Sequence, residues 1–167
     1  NCIPAILDNM TMYSKRGGKA VMAFESLNSG GNTYNSQDAS VHSSEIINNP
    51  VHMTSYVENI AYDANLLFVI NKTDEENEGN LILFESLREQ NVQAWTTLDT
   101  DGEFTNVEAV GDDVFFMVKR QDIVADPPVK KWSLERMNWL ACLDGAVSQT
   151  ATTPGVPGSA ISLPTFM

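Results

Sequence analysis

The residues best spaced for chemistry in this chain are acidic. Asp99, Asp101 and Gly102 are followed after five residues by Glu108. That spacing matches positions 3, 5, 6 and 12 of an EF-hand calcium loop, and Phe104 fills its apolar position. Carboxylate oxygens at such intervals are what a hard cation needs. Two features oppose the match. Thr97 stands at position 1, where a carboxylate is required, and the flanking segments read as strands where an EF-hand needs helices. The competing reading, an Asp-Gly turn between two strands, is the stronger.

Other reactive groups are scattered. His42 and His52 lie ten residues apart, whereas two zinc ligands on one helix face stand at i and i+4. Asp38, His42 and Ser43 are near in sequence, but a catalytic triad is defined by geometry in space. The run Asp74-Glu75-Glu76-Asn77-Glu78 reads as a solvated loop tip, with no apolar pocket to shift a carboxyl pKa. Asn9-Met10-Thr11 and Asn71-Lys72-Thr73 match the glycosylation sequon, a pattern that often arises by chance. The chain has no Gly-rich phosphate loop, no G-x-S-x-G elbow and no Cys-His metal spacing. No catalytic, cofactor-binding or metal-ligating residue is therefore assigned, and no enzymatic activity is expected. Cys2 and Cys142 read as free thiols. Trp95, Trp132 and Trp139 fall near strand ends and are expected to be buried, since only exposed ones could form a sugar platform.

Composition narrows the class further. The 167 residues are 43% hydrophobic, with 22 acidic and 10 basic side chains and a net charge of −12. That length suits one domain or two small ones and buries a core without staples. The acidic excess argues against wrapping DNA by phosphate neutralisation. The apolar run at 66–70 is far too short to cross a bilayer as a helix. No basic segment followed by an apolar stretch opens the chain, so no signal peptide is read. A chain that starts at Asn1 reads as a fragment or a processed piece of a longer one.

The elements that would position these residues are strands. Residues 10–14, 20–27, 65–71, 81–87, 93–98, 104–110, 114–120 and 130–137 form apolar or alternating runs of strand length. Residues 3–7 read as a strand start or an edge, and 52–62 as holding a further strand. Gly17-Gly18 supplies the positive φ of a hairpin turn. Residues 28–40 have loop composition, and 41–49 read as a short helix or turn stopped by Pro50. Residues 66–70 are apolar without alternation, so that strand should lie inside a sheet, covered on both faces, and 114–118 form a second fully apolar strand.

One phrase recurs. Phe24-Glu25-Ser26-Leu27 reappears as Phe84-Glu85-Ser86-Leu87, and Trp132-Ser133-Leu134-Glu135-Arg136-Met137 is a looser version. Repeated hairpins of this size predict an all-β fold of β-propeller-like, four-stranded blades, with a β-sandwich as the alternative. The units fall at about 5–49, 50–110 and 111–147. Residues 148–167, with Pro154, Pro157 and Pro164, read as a linker or docking arm.

An ordered series of short phrases carries a resemblance. It runs through Tyr34, Asp38 and Ser40, the strand 66–71 ending in Asn71, and 81–88 ending in Arg88. It continues through Ala94-Trp95, Thr100-Asp101-Gly102-Glu103-Phe104, 114–120 ending in Arg120, and Leu134-Glu135-Arg136. In order and spacing this series resembles the tail nozzle, or tail tubular, family of short-tailed bacteriophages. The resemblance implies a structural virion protein built on a β-propeller platform. It implies a ring homo-oligomer, usually a hexamer, contacting other tail subunits and adjacent portal proteins. DNA would pass through its channel without specific binding, and the acidic excess would keep the lumen non-adhesive. It implies no cofactor and no membrane. The chain holds about three blade-like units, and a closed propeller needs at least four. A carbohydrate-binding or adhesin-like β module, and a hydrolase on a propeller scaffold, are the rival readings.

Overall fold

A computed structural model describes residues 2–27, 33–58, 64–72, 79–87, 92–122 and 129–138. These residues form three antiparallel sheets, none closed on itself. The first is β1 (Ala5–Leu7), β2 (Met10–Ser14), β3 (Val21–Leu27) and β4 (Thr33–Asp38), hydrogen-bonded in that order. The second repeats the plan with β5 (Pro50–Glu58), β6 (Ala64–Asn71), β7 (Leu81–Leu87) and β8 (Val92–Leu98). The third is β9 (Glu103–Val110), β10 (Asp113–Asp122) and β11 (Val129–Arg136). Each sheet is a meander, so every pairing is between chain neighbours. Local turn chemistry sets the register. Asp8 and Asn9 have φ of 47° and 63°, as a type I′ turn between Leu7 and Met10 requires.

The all-β expectation holds for the described residues, with one strand unforeseen. β4 lies inside the segment read as a loop. Its residues are exposed or half-exposed throughout, so no apolar alternation marks it. Among the described residues it pairs with β3 alone, from Met22–Asp38 to Leu27–Thr33, with Tyr34 stacked on Phe24 and the Ser36 hydroxyl bonded to the Tyr13 hydroxyl. The expected second unit, 50–110, spans the whole second sheet plus β9. β9 pairs with β10, so Asp99–Gly102 joins two sheets instead of two strands of one hairpin.

The sheets stack face to face with the second in the middle. Leu67 and Val69 of β6 and Ile82 and Phe84 of β7 meet Ala5, Leu7, Met10, Met12, Val21 and Ala23 of the first sheet. The opposite face of the same two strands presents Leu66, Phe68, Ile70 and Leu81 to Phe104, Val107, Val114, Phe116 and Val118 of the third. This is why 66–70 shows no alternation: both faces are covered. Each fully buried Phe or Leu contributes roughly 1.5–3 kcal/mol. The second core is also ordered by edge-to-face contacts of Phe116 with Phe68 and Phe104, at 5.9 and 5.6 Å between ring centres.

The repeated phrase sits in the third strand of each sheet. Phe24, Phe84 and Trp132 each follow by three residues the first pair of their hairpin, Ser14–Val21, Ile70–Leu81 and Asp122–Val129. The first strands of the sheets lie together, with β5 against both β1 and β9. His52 of β5 bonds through Nε2 to the Val107 carbonyl at 2.7 Å, and Tyr56 donates its hydroxyl to the Asp112 carbonyl at 2.9 Å.

Residues 39–49 carry the chain from the first sheet to the second as successive turns. Ile47 is buried in the first core. The Asn49 amide donates to the Gly18 carbonyl at 2.7 Å, and the Lys72 amide donates to the Asn49 carbonyl at 3.0 Å. Gly17 and Gly18 have φ of 98° and 67°, as the turn reading requires. Their environments differ. A Cβ on Gly18 would strike the Asn49 side chain and lie 2.7 Å from its Cα, while one on Gly17 meets nothing within 4 Å. Gly17→Ala should cost about 1 kcal/mol from its φ alone, and Gly18→Ala at least about 2 kcal/mol more. Urea midpoints of the two variants test this, and equal values would remove the Gly18–Asn49 contact from the account.

Candidate functional site

The segment from Thr97 to Glu108 is strand, turn and strand. Asp99 and Asp101 lie in the exposed turn after β8, and Gly102 donates its amide to the Thr100 carbonyl at 2.8 Å. Gly102 has φ of 152°, and a Cβ there would come 2.8 Å from the Lys119 carbonyl oxygen. Glu108 lies further along β9 and faces His52, with 3.3 Å between Oε1 and Nε2. Among the described residues, no three His, Cys, Asp or Glu side chains are grouped closely enough to hold a metal ion.

A guanidinium is bonded to that turn. Arg120 of β10 donates through Nε and an Nη to both carboxylate oxygens of Glu135, each at 2.9 Å. Its remaining donors reach the Asp101 carbonyl at 2.6 Å and Thr100 Oγ1 at 2.9 Å. Ser133 adds its hydroxyl to Glu135 Oε1 at 2.7 Å. The Glu135 side chain is 3% exposed and that of Arg120 24%. This is a charge-assisted, bidentate pair whose spare donors tie down the link between two sheets. Sequence reasoning assigned Arg120 and Glu135 no role. The available signal was the series of phrases, because Thr100-Asp101-Gly102, Arg120 and Glu135 fall within three of them.

The other polar residues of those phrases act similarly. Asp38 Oδ1 accepts from the amide and hydroxyl of Ser40, both at 2.9 Å, and Ser40 Oγ accepts from the Val21 amide at 3.0 Å. Asn71, 3% exposed, accepts from the Asn48 amide at 3.0 Å and donates to the Ile46 carbonyl at 2.8 Å. Trp95 stacks on Phe84, 4.5 Å between ring centres, and donates its indole N–H to the Ala39 carbonyl at 2.9 Å. Each of these groups holds backbone in one sheet or linker against another. Of the near-sequence trio, Asp38 is thus spent on Ser40, His42 is exposed on the following turn, and Ser43 donates its amide to the Ser40 carbonyl at 2.9 Å; His52 lies apart on β5.

Trp132 departs from the expected burial. It is 59% exposed on the outer face of the third sheet, with the Lys119 ammonium 5.5 Å from its ring centre. The outer face of the first sheet is likewise apolar: Ile6 is 72% exposed, and Phe24 stacks on Tyr34 at 5.4 Å between ring centres. An open cleft of ≈ 530 Å³ lies between the first linker and the second sheet, lined by Lys19, Glu45, Asn48, Asn80 and Thr97 among others. Lys19 there donates to Asn48 Oδ1 at 2.9 Å. Cys2 is a free thiol whose pKa burial pushes up. Of the two sequons, Asn9 is exposed in its turn, and Asn71 is the buried staple described above. Asp74 to Glu78, Thr73, Trp139, Cys142 and the arm at 148–167 lie outside the described residues.

No protein-family model matches this chain, and no curated protein matches it.

Proposed function

We propose that this chain is a structural β module of a short-tailed bacteriophage tail, of the tail nozzle or tail tubular type. It acts by holding neighbouring subunits in place around a DNA exit channel. The observation that carries the reading is the use made of the ordered phrases. Their polar residues, Asp38, Ser40, Asn71, Trp95, Arg120 and Glu135, are committed to backbone and to one another. Groups tied up this way position sheets and bring no reactants together. Further support comes from the stacked meanders, each with the phrase in its third strand and its first strand beside its neighbour's, an arrangement like consecutive propeller blades. The open apolar face around Phe24 suits contact with a further sheet. A net charge of −12 suits a wall that DNA passes without sticking.

In particles purified from the culture that carries its gene, antibody to this chain is expected to label the tail. Label confined to host material would overturn the proposal. The exposed Trp132 favours a second reading, a carbohydrate-binding module. Selective retention on a polysaccharide, lost in Trp132→Ala, would establish that reading in place of the first.

A further inference from the structure

We infer that β11 is the receiving edge for an extended acidic peptide, which joins the third sheet as its fourth strand. The inference stands apart from the virion reading. Among the described residues the four-stranded meander is built twice, and the third sheet has three strands. β11 pairs with β10 along all eight residues without a register shift. Its backbone is therefore regular, and it contains no proline to interrupt a new ladder. Among the described residues its other edge has no strand beside it.

The side chains specify what that strand should carry. Val129, Lys130, Lys131, Trp132, Leu134 and Arg136 are all exposed. The strand's one carboxylate, Glu135, is turned inward and bonded to Arg120. Apart from Ser133, which is bonded to Glu135, the edge thus shows cationic and apolar groups in a chain of net charge −12, with Arg136 also 3.5 Å from the Asp113 carboxylate of β10. Lys130, Trp132, Leu134 and Arg136 share the outer face by strand alternation. Main-chain bonds would supply affinity, and pockets for alternate side chains specificity. Carboxylates on the incoming strand would lie beside Lys130 and Arg136, and apolar groups beside Trp132 and Leu134. Lysine on an edge also repels a second copy of the same edge. One set of charges thereby selects against self-pairing and for an acidic partner.

The test uses the full chain and a short peptide, Glu-Thr-Val-Thr-Val-Thr-Glu, whose alternate residues would face Lys130, Trp132, Leu134 and Arg136 in either strand direction. Binding is expected to weaken with added salt. It should slow hydrogen exchange at the β11 amides that do not bond β10, and fall about tenfold in Lys130→Glu. Circular dichroism of that variant should be unchanged, since Lys130 is exposed. The inference is overturned if the same peptide with Lys in place of Glu, or a single-stranded DNA oligonucleotide, binds equally well. It is also overturned if those amides already exchange slowly without peptide, which would mean that the chain covers its own edge, or if Lys130→Glu only promotes self-association.

Discussion

Phe84→Ala is expected to destabilise the fold by about 3–5 kcal/mol, and Phe24→Ala by no more than about 1 kcal/mol. The two residues head the same four-residue phrase, at the same offset from their hairpin pairs. They also point the same way along the stack. Phe84 faces the first sheet and is fully buried, packed among Met12, Ala23 and Leu67 and against Trp95. Phe24 points away from the second sheet, is 40% exposed, and keeps one stacking partner, Tyr34. Removing Phe84 opens a cavity walled by two sheets, and removing Phe24 opens a notch that water fills. Urea midpoints at constant slope measure both effects. Equal losses would mean that local context outweighs stacking. A further sheet bound over Phe24 in the assembled particle would raise its cost toward that of Phe84, and this can be read from the same pair of variants there.

The second large effect is expected at Arg120. Arg120→Leu removes five donors and leaves the Glu135 carboxylate buried beside a hydrocarbon, at a cost of about 3 kcal/mol. The partial exposure of Arg120 keeps the loss near the low end for a broken buried pair. Glu135→Leu in the same chain should restore much of the stability, because two apolar groups can replace a buried ion pair without an orphaned charge. The double variant should still differ from the parent in one respect. The Asp101 carbonyl and Thr100 hydroxyl lose their guanidinium, so amide exchange in the 99–102 turn should quicken although global stability returns. An additive double variant would show that the two side chains do not act as a unit.

Much of the strand framework was legible because its determinants are local. An uninterrupted apolar run marked 66–70 as a strand covered on both faces, and Leu66 and Leu67 do face different cores. Gly17-Gly18 announced a turn through the φ that only glycine adopts without strain. The recurrence of Phe-Glu-Ser-Leu predicted equivalent positions in two units, and both copies occupy third strands. β4 left no such mark. An edge strand with both faces wetted is held mainly by backbone pairing, and backbone carries no sequence signal.

What the chain alone determined was the sequence of strands and turns apart from β4, because a two-residue period and a positive φ are properties of neighbours along the backbone. Tertiary structure alone decided that β9 joins the third sheet, that Trp132 is exposed where Trp95 is half-covered, and that Arg120 finds Glu135 and the Thr100-Asp101 turn. Burial and pairing depend on what lies across the sheet or on the next one, and those contacts bring together residues 15 to 20 positions apart in the Arg120 cluster and 56 apart between Trp95 and Ala39.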